Sequence, residues 1–236
     1  MKRVALLFWA CVAFALPDGA AARRPVLVEL FTAQGCSSCA KANGLLGQIA
    51  ERPGVIALTW SVDYWDYLGW KDSFAQPEFT ERQRRYERRF GFRNVYTPQV
   101  VVDGAAQSTG DKPGDIDALI QKARHERRPE PQVKFLSGGR VGIGTGARST
   151  NGAEVWLVRY DPRAQDVEVT AGDNAGAKVP YRNVVRQLIR LGIWSGRAAV
   201  FKTPDPIIAG LTSLVLVQTP RGGPIVASTQ DPGTKP

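Results

Sequence analysis

Apolar positions along this chain follow two rhythms, with the change near residue 130. In the first half, short dense apolar runs alternate with stretches of helical spacing. Pro25–Thr32 (PVLVELFT) is a β-rich run ending at a turn, which predicts a strand. Cys39–Gly54 carries Ala42, Leu45, Leu46 and Ile49 at helical spacing and stops at Pro53-Gly54. Val55–Val62 (VIALTWSV) is apolar almost throughout, as expected of a strand buried on both faces. Gln76–Gly91 sets Phe79, Tyr86 and Phe90 along one side, with a proline near its start and a glycine at its end, the punctuation of a helix. Thr97–Gly110 predicts two short strands around a turn at Asp103-Gly104. Lys112–Arg127 repeats the helical spacing with Ile116, Leu119, Ile120 and Ala123. The order β-α-β-α-β-β-α predicts an α/β fold, with parallel pairing through a right-handed crossover and a closing antiparallel hairpin.

Two prolines and flanking charge in RRPEPQ (Arg127–Gln132) disfavour helix and sheet alike, so residues 129–132 are expected to be a linker. Beyond it, VKFL, RVGIG, AEVWLVRY, DVEVT, RAAVFK, SLVLVQ and PIVAS are short β-type runs at turn-rich intervals. They predict a β-rich, sandwich-like part over residues 133–236. Tyr181–Trp194 is ambiguous: apolar residues at 184, 185, 188 and 189 fit a helix, while their β-branching suits a strand.

The N-terminus changes how the chain is divided. Lys2 and Arg3, an apolar run from Val4 to Leu16, a breaker at Pro17 and Gly19, and Ala20–Ala22 match a secretory signal peptide over residues 1–22. The run is short for a membrane span; an uncleaved anchor is the alternative. Cleavage places the mature chain in the periplasm or outside the cell, with no stable membrane insertion, and leaves residues 23–128 as the first domain. The net charge of +9 is concentrated in Glu81–Arg93 and Arg124–Arg128. Glutamates interrupt both runs, so solvated helix faces are expected and no nucleic-acid partner.

Of three cysteines, Cys11 lies in the signal, leaving Cys36 and Cys39 in TAQGCSSCAKAN. An exported chain with one pair does not depend on a disulfide framework. Three readings are open: a redox centre, a metal clip, and a static disulfide. The pair falls between a predicted strand and a predicted helix, with Cys36 expected at the helix N-terminus and Cys39 one turn in. Unpaired N–H groups and the positive end of the dipole favour thiolate there. Cys36 would then attack a substrate disulfide and Cys39 resolve the mixed disulfide, with Gly35 allowing a tight turn that exposes Cys36. Structural zinc needs four ligands, and His125, in a charged helix, is expected at the surface, so no metal or cofactor is assigned. Two thiolates alone suit Cu(I). A static disulfide across so short a loop stabilises little.

Two further stretches join the candidate site. Thr97-Pro98 opens the third strand, where a cis peptide is most useful but an ordinary trans proline also fits; the Thr97 backbone is placed to pair with an extended substrate. Ser61–Asp72 (SVDYWDYLGWKD) follows the buried second strand, at the end where α/β sites gather. Asp63 or Asp66 is a candidate proton acceptor for Cys39, and Tyr64 and Trp65, with Trp70, are candidates to line a peptide groove. Taken singly, each is also explained by packing or turn capping.

VELFTAQGCSSC, the Thr-Pro before the third strand and the element order resemble the thioredoxin superfamily. More narrowly, VELFTAQGCSSC, SVDYWDYLGWKD, YTPQVVVDG and GDNAG resemble a family of uncharacterised exported bacterial proteins with a thioredoxin-like fold, from about Val28 to Trp194. The resemblance implies that Cys36 is the nucleophile, Cys39 the resolving thiol and Pro98 cis. One departure is that such relatives carry proline directly after the second cysteine, where Ala40 and Lys41 stand here. The expected function is thiol–disulfide exchange with protein or peptide thiols, served by an unidentified redox partner. The alternative is a non-catalytic thioredoxin-like binding module with a structural disulfide or a Cu(I)-binding cysteine pair.

Overall fold

The computed structural model describes residues 24–126, 129–147, 151–204 and 208–232. The expected signal peptide lies outside the described residues. The first half contains β1 (Val26–Thr32), α1 (Cys39–Ala50), β2 (Val55–Ser61), a single 3-10 turn (Asp66–Leu68), α2 (Pro77–Phe90), β3 (Gln99–Val102), β4 (Ala106–Thr109) and α3 (Pro113–His125). This is the expected order. β1 and β2 pair in parallel, while β3 runs antiparallel to both β1 and β4. The turn between β3 and β4 has positive φ at Asp103 (48°) and Gly104 (63°), the conformation an Asp-Gly hairpin favours. Among the described residues, no helix is long and apolar enough to cross a membrane.

The second half supplies β5 (Val133–Leu136), β6 (Arg140–Ile143), β7 (Ala153–Asp161), β8 (Gln165–Glu168), β9 (Lys178–Tyr181), β10 (Val184–Trp194), β11 (Ala199–Lys202), β12 (Thr212–Gln218) and β13 (Ile225–Gln230). It is β-rich as expected, but it does not stand apart as a sandwich. Four of its strands extend the first sheet, giving one eight-stranded mixed sheet in the order β13-β12-β7-β10-β2-β1-β3-β4. The junction is β10 beside β2, in parallel, with Val184 opposite Thr59. The physical reason is that β2 is apolar on both faces and lies inside the sheet, so its second edge needs a partner.

β10 resolves the ambiguous stretch as a strand. Register shifts between Val185 and Gln187, and again between Arg190 and Gly192, reset its alternation. Val185 and Leu188 therefore face one core and Ile189 and Leu191 another, a pattern that imitates helical spacing.

The strand pleat sorts the side chains into separate cores. Val26, Val28, Leu30, Ala57, Val100 and Val102 pack against Ala42, Leu46 and Ile49 of α1 and Ile116 and Ile120 of α3. On the other face, Phe31, Trp60, Phe79 and Tyr86 share a core with Trp156, Val158, Val185, Leu214 and Leu216 from the second half. A third core lies between the extension of the sheet and a three-stranded sheet, β11-β6-β5.

The basic run of α2 is only partly solvated. Arg82 is buried and binds both carboxylate oxygens of buried Glu29, at 2.7 and 3.0 Å, while the Tyr86 hydroxyl donates to the same carboxylate. Arg82 also donates to Gln218 of β12 at 3.1 Å. Arg85 lies 5.1 Å over the Trp156 ring. These two cations hold the halves together, whereas Arg84, Arg88 and Arg89 face solvent.

Candidate functional site

Cys36 and Cys39 are joined in a disulfide, with their Cα atoms 5.3 Å apart. α1 begins at Cys39, so Cys36 precedes the helix by one turn instead of opening it. The Cys39 N–H donates to the Cys36 carbonyl at 3.0 Å, closing that turn. Gly35 keeps an ordinary backbone conformation, and a side-chain carbon there would meet Trp65 only at van der Waals distance. It does not expose Cys36 either: that residue is 1% accessible, while Ser37 and Ser38 face solvent. Ser38 Oγ lies 3.5 Å from Cys36 Sγ.

The Thr97–Pro98 peptide is cis. Trp65 connects it to the disulfide loop: its side chain lies against Gly35, and its indole N–H donates to Thr97 Oγ1 at 2.8 Å. Pro98 sits against Gly110, where an added Cβ would fall 2.8 Å from Pro98, 3.0 Å from Leu30 and 3.1 Å from Ala42 of α1. Cys36, Cys39, Trp65, Thr97 and Pro98 therefore come together. Tyr64 packs against the same core, but its hydroxyl donates to Gln83 of α2 at 3.1 Å, and burial pushes its pKa well above the usual phenol range.

The two expected proton acceptors are engaged elsewhere. Asp63 accepts from the Thr80 hydroxyl of α2 at 2.6 Å, and Asp66 accepts from the Asp72 N–H at 3.1 Å. The buried carboxylate of this region is Asp72, at the end of the same motif. It accepts from the N–H groups of Gln34 (2.7 Å), Phe74 (2.8 Å) and Ala75 (3.2 Å). Burial, with the Asp66 charge adding to it, outweighs those bonds and pushes its pKa up to about 6. Sequence reasoning missed Asp72; its position in SVDYWDYLGWKD was the available signal. Gln34 is the hub beside it, accepting from the Trp70 indole at 2.9 Å and donating to Ser73 at 3.0 Å.

A second element of the site, whose contacting residue sequence reasoning did not name, comes from the other half. The Asn174 side-chain amide donates to the carbonyls of Gln34 (2.7 Å) and Cys36 (2.9 Å). It belongs to GDNAG, the turn between β8 and β9. That hairpin packs Val169, Val179 and Tyr181 with Phe74, Trp70 and Ala40 of the first half. The Tyr181 hydroxyl lies beside the side chains of Asn43 and Ser61, and all three residues are buried. Asn43 is four residues after Cys39, so this polar cluster lies on the same side of α1 as the second cysteine. Among the described residues, no group of three or more His, Cys, Asp or Glu side chains is arranged to hold a metal ion.

The model of a protein family of unknown function, DUF1223, matches residues 27–218. The chain belongs to the DUF1223 family. The matched range contains every residue of the site, from Gln34 through Thr97–Pro98 to Asn174. A crystal structure of a protein from Agrobacterium tumefaciens is similar to this DUF1223 chain at 33% identity. The match covers 91% of this chain and 97% of that one, with a TM-score of 0.72. An endonuclease/exonuclease/phosphatase from Beutenbergia cavernae matches 43% of this chain and 22% of its own at 16% identity. Its TM-score of 0.18 is too low to support an argument. No curated protein matches the chain.

Proposed function

We propose that this protein is an exported thiol–disulfide oxidoreductase, with a thioredoxin-like arrangement over the β1-to-α3 segment. The observation that carries the reading is the convergence on one another of the Cys36–Cys39 pair, Trp65 and Thr97. In this reading the disulfide is the reactive group, linked through Trp65 to a backbone segment suited to an extended peptide. Exposed Tyr67, 79% accessible on the 3-10 turn, adds an aromatic side chain for that peptide.

The exchange uses the chain's own groups. A substrate thiolate attacks Cys36 Sγ, the Cys36–Cys39 bond breaks, and Cys39 leaves as a thiolate that takes up a proton. A second substrate thiolate attacks the substrate sulfur of the mixed disulfide. The substrate leaves as a disulfide, and Cys36 leaves as a thiolate that is then protonated. The steps run in reverse for reduction of a substrate. Asp72, hydrogen-bonded to the N–H of Gln34 two residues before Cys36 and with its pKa raised to about 6, is the local carboxyl able to exchange that proton near neutral pH.

The burial of Cys36 favours a second reading, a non-catalytic thioredoxin-like binding module, because buried cysteines are ordinarily inert. One experiment separates the two. The mature protein is equilibrated in glutathione buffers and its redox state read by alkylation and mass, beside turnover of a reduced, unfolded disulfide protein. Oxidoreductase activity requires a potential within about −120 to −270 mV and turnover that Cys36→Ser abolishes. A potential below about −300 mV with no turnover establishes the binding module.

A further inference from the structure

Between β7 and β10 the chain makes an excursion of about twenty residues that adds nothing to the main sheet. It contains only the β8–β9 hairpin, which pairs with itself and lies over the start of α1. Its tip is held rigidly. Ala175 donates to Gly172, Gly176 to Val169 and Ala177 to Asn174, at 3.1, 2.8 and 2.9 Å. Gly172 has φ of 75° and rests against Leu68 and Trp70, so the tip is also fixed to the segment beside the disulfide loop. Asn174 is buried, and its amide nitrogen spends its bonds on the Gln34 and Cys36 carbonyls.

The disulfide loop is thereby held from two sides. The Gln34 N–H is fixed by Asp72, its carbonyl by Asn174, and the Cys36 carbonyl by both Asn174 and the Cys39 N–H. These bonds set the peptide planes from Gln34 to Cys36 and hold Cys36 against the helix start, within the spacing a disulfide requires. On reduction, the two sulfurs must move from bonding to van der Waals distance. A loop clamped at the Gln34 and Cys36 carbonyls resists that movement, so the clamp stabilises the disulfide more than the dithiol.

We infer that Asn174 is a positioning residue through which the second half of the chain lowers the reduction potential of Cys36–Cys39. The couple is one protein disulfide plus two electrons and two protons giving two thiols. In a glutathione buffer, two glutathione thiols supply these and leave as one glutathione disulfide. The inference does not depend on exchange catalysis, because a structural disulfide has a potential as well.

The test compares full-length mature protein with Asn174→Ala and Asn174→Ser, equilibrated in glutathione and dithiothreitol buffers. Thermal midpoints are recorded in the oxidised and reduced states. Asn174→Ala is expected to reduce three- to tenfold more readily, tenfold being a rise of about 30 mV. Its oxidised midpoint should fall further than its reduced one. Asn174→Ser keeps a donor but cannot reach both carbonyls, and should shift the same way by less; it decides the matter if the alanine variant does not fold. An unchanged potential with equal loss of both midpoints makes Asn174 a purely structural contact and overturns the inference. So does a fall in potential. Loss of turnover without a shift in potential bears on the proposed function and leaves Asn174 with no tuning role.

Discussion

The Asn174 amide reaches the Cys36 carbonyl at 2.9 Å across 138 positions of chain, so the disulfide loop is completed by a residue from the other half of the protein. The same dependence on distant partners runs through the sheet and the core.

A chain ending at Gln132 should not fold. It would expose the β2 edge that β10 covers and remove Trp156, Val158, Val185, Leu214 and Leu216 from the core around Phe31 and Trp60. Aggregation in size-exclusion chromatography and the absence of a cooperative melt are expected. A monomeric fragment with a sharp melt would show that the first half is independent.

Arg82→Ala should cost about 3–5 kcal/mol in denaturant unfolding, because it leaves Glu29 charged, buried and without its bidentate partner. Replacing Glu29 and Arg82 together by apolar residues should cost less than Arg82→Ala alone. Equal costs would mean that the carboxylate is not the source of the penalty.

Asp72 makes stability fall as pH rises from 4 to 6. Its folded pKa of about 6 lies above the ordinary value of 3.8, so the folded state binds the extra proton between these limits. The contribution is therefore present below about pH 4 and is lost as pH rises through 6, by up to about 3 kcal/mol. Relative to wild type, Asp72→Asn should gain stability steadily from pH 4 to pH 7. A constant difference between the two melting curves across that range would refute the assignment.

Gly110→Ala should destabilise by about 1–3 kcal/mol through overpacking, since the new methyl meets Pro98, Leu30 and Ala42 inside normal contact distance. Gly114→Ala, at a position with open space, is the control and should leave the thermal midpoint essentially unchanged.

The sequence by itself determined the element order from β1 to α3, the Asp-Gly turn, the β-rich second half and the place of Cys36 and Cys39 between β1 and α1. Each of these rests on a local signal: a periodicity of two or 3.6, a turn dipeptide, or a short motif. Only the tertiary structure decided that β10 joins β2, that Arg82 belongs to the core, and that Asp72 and Asn174 complete the site. An apolar strand edge does not name its partner, and a basic helix carries no mark of which arginine will meet a buried glutamate. Burial is a property of the assembled chain, so the rise in the Asp72 pKa and the reach of Asn174 to Cys36 came into being only when two distant stretches packed together.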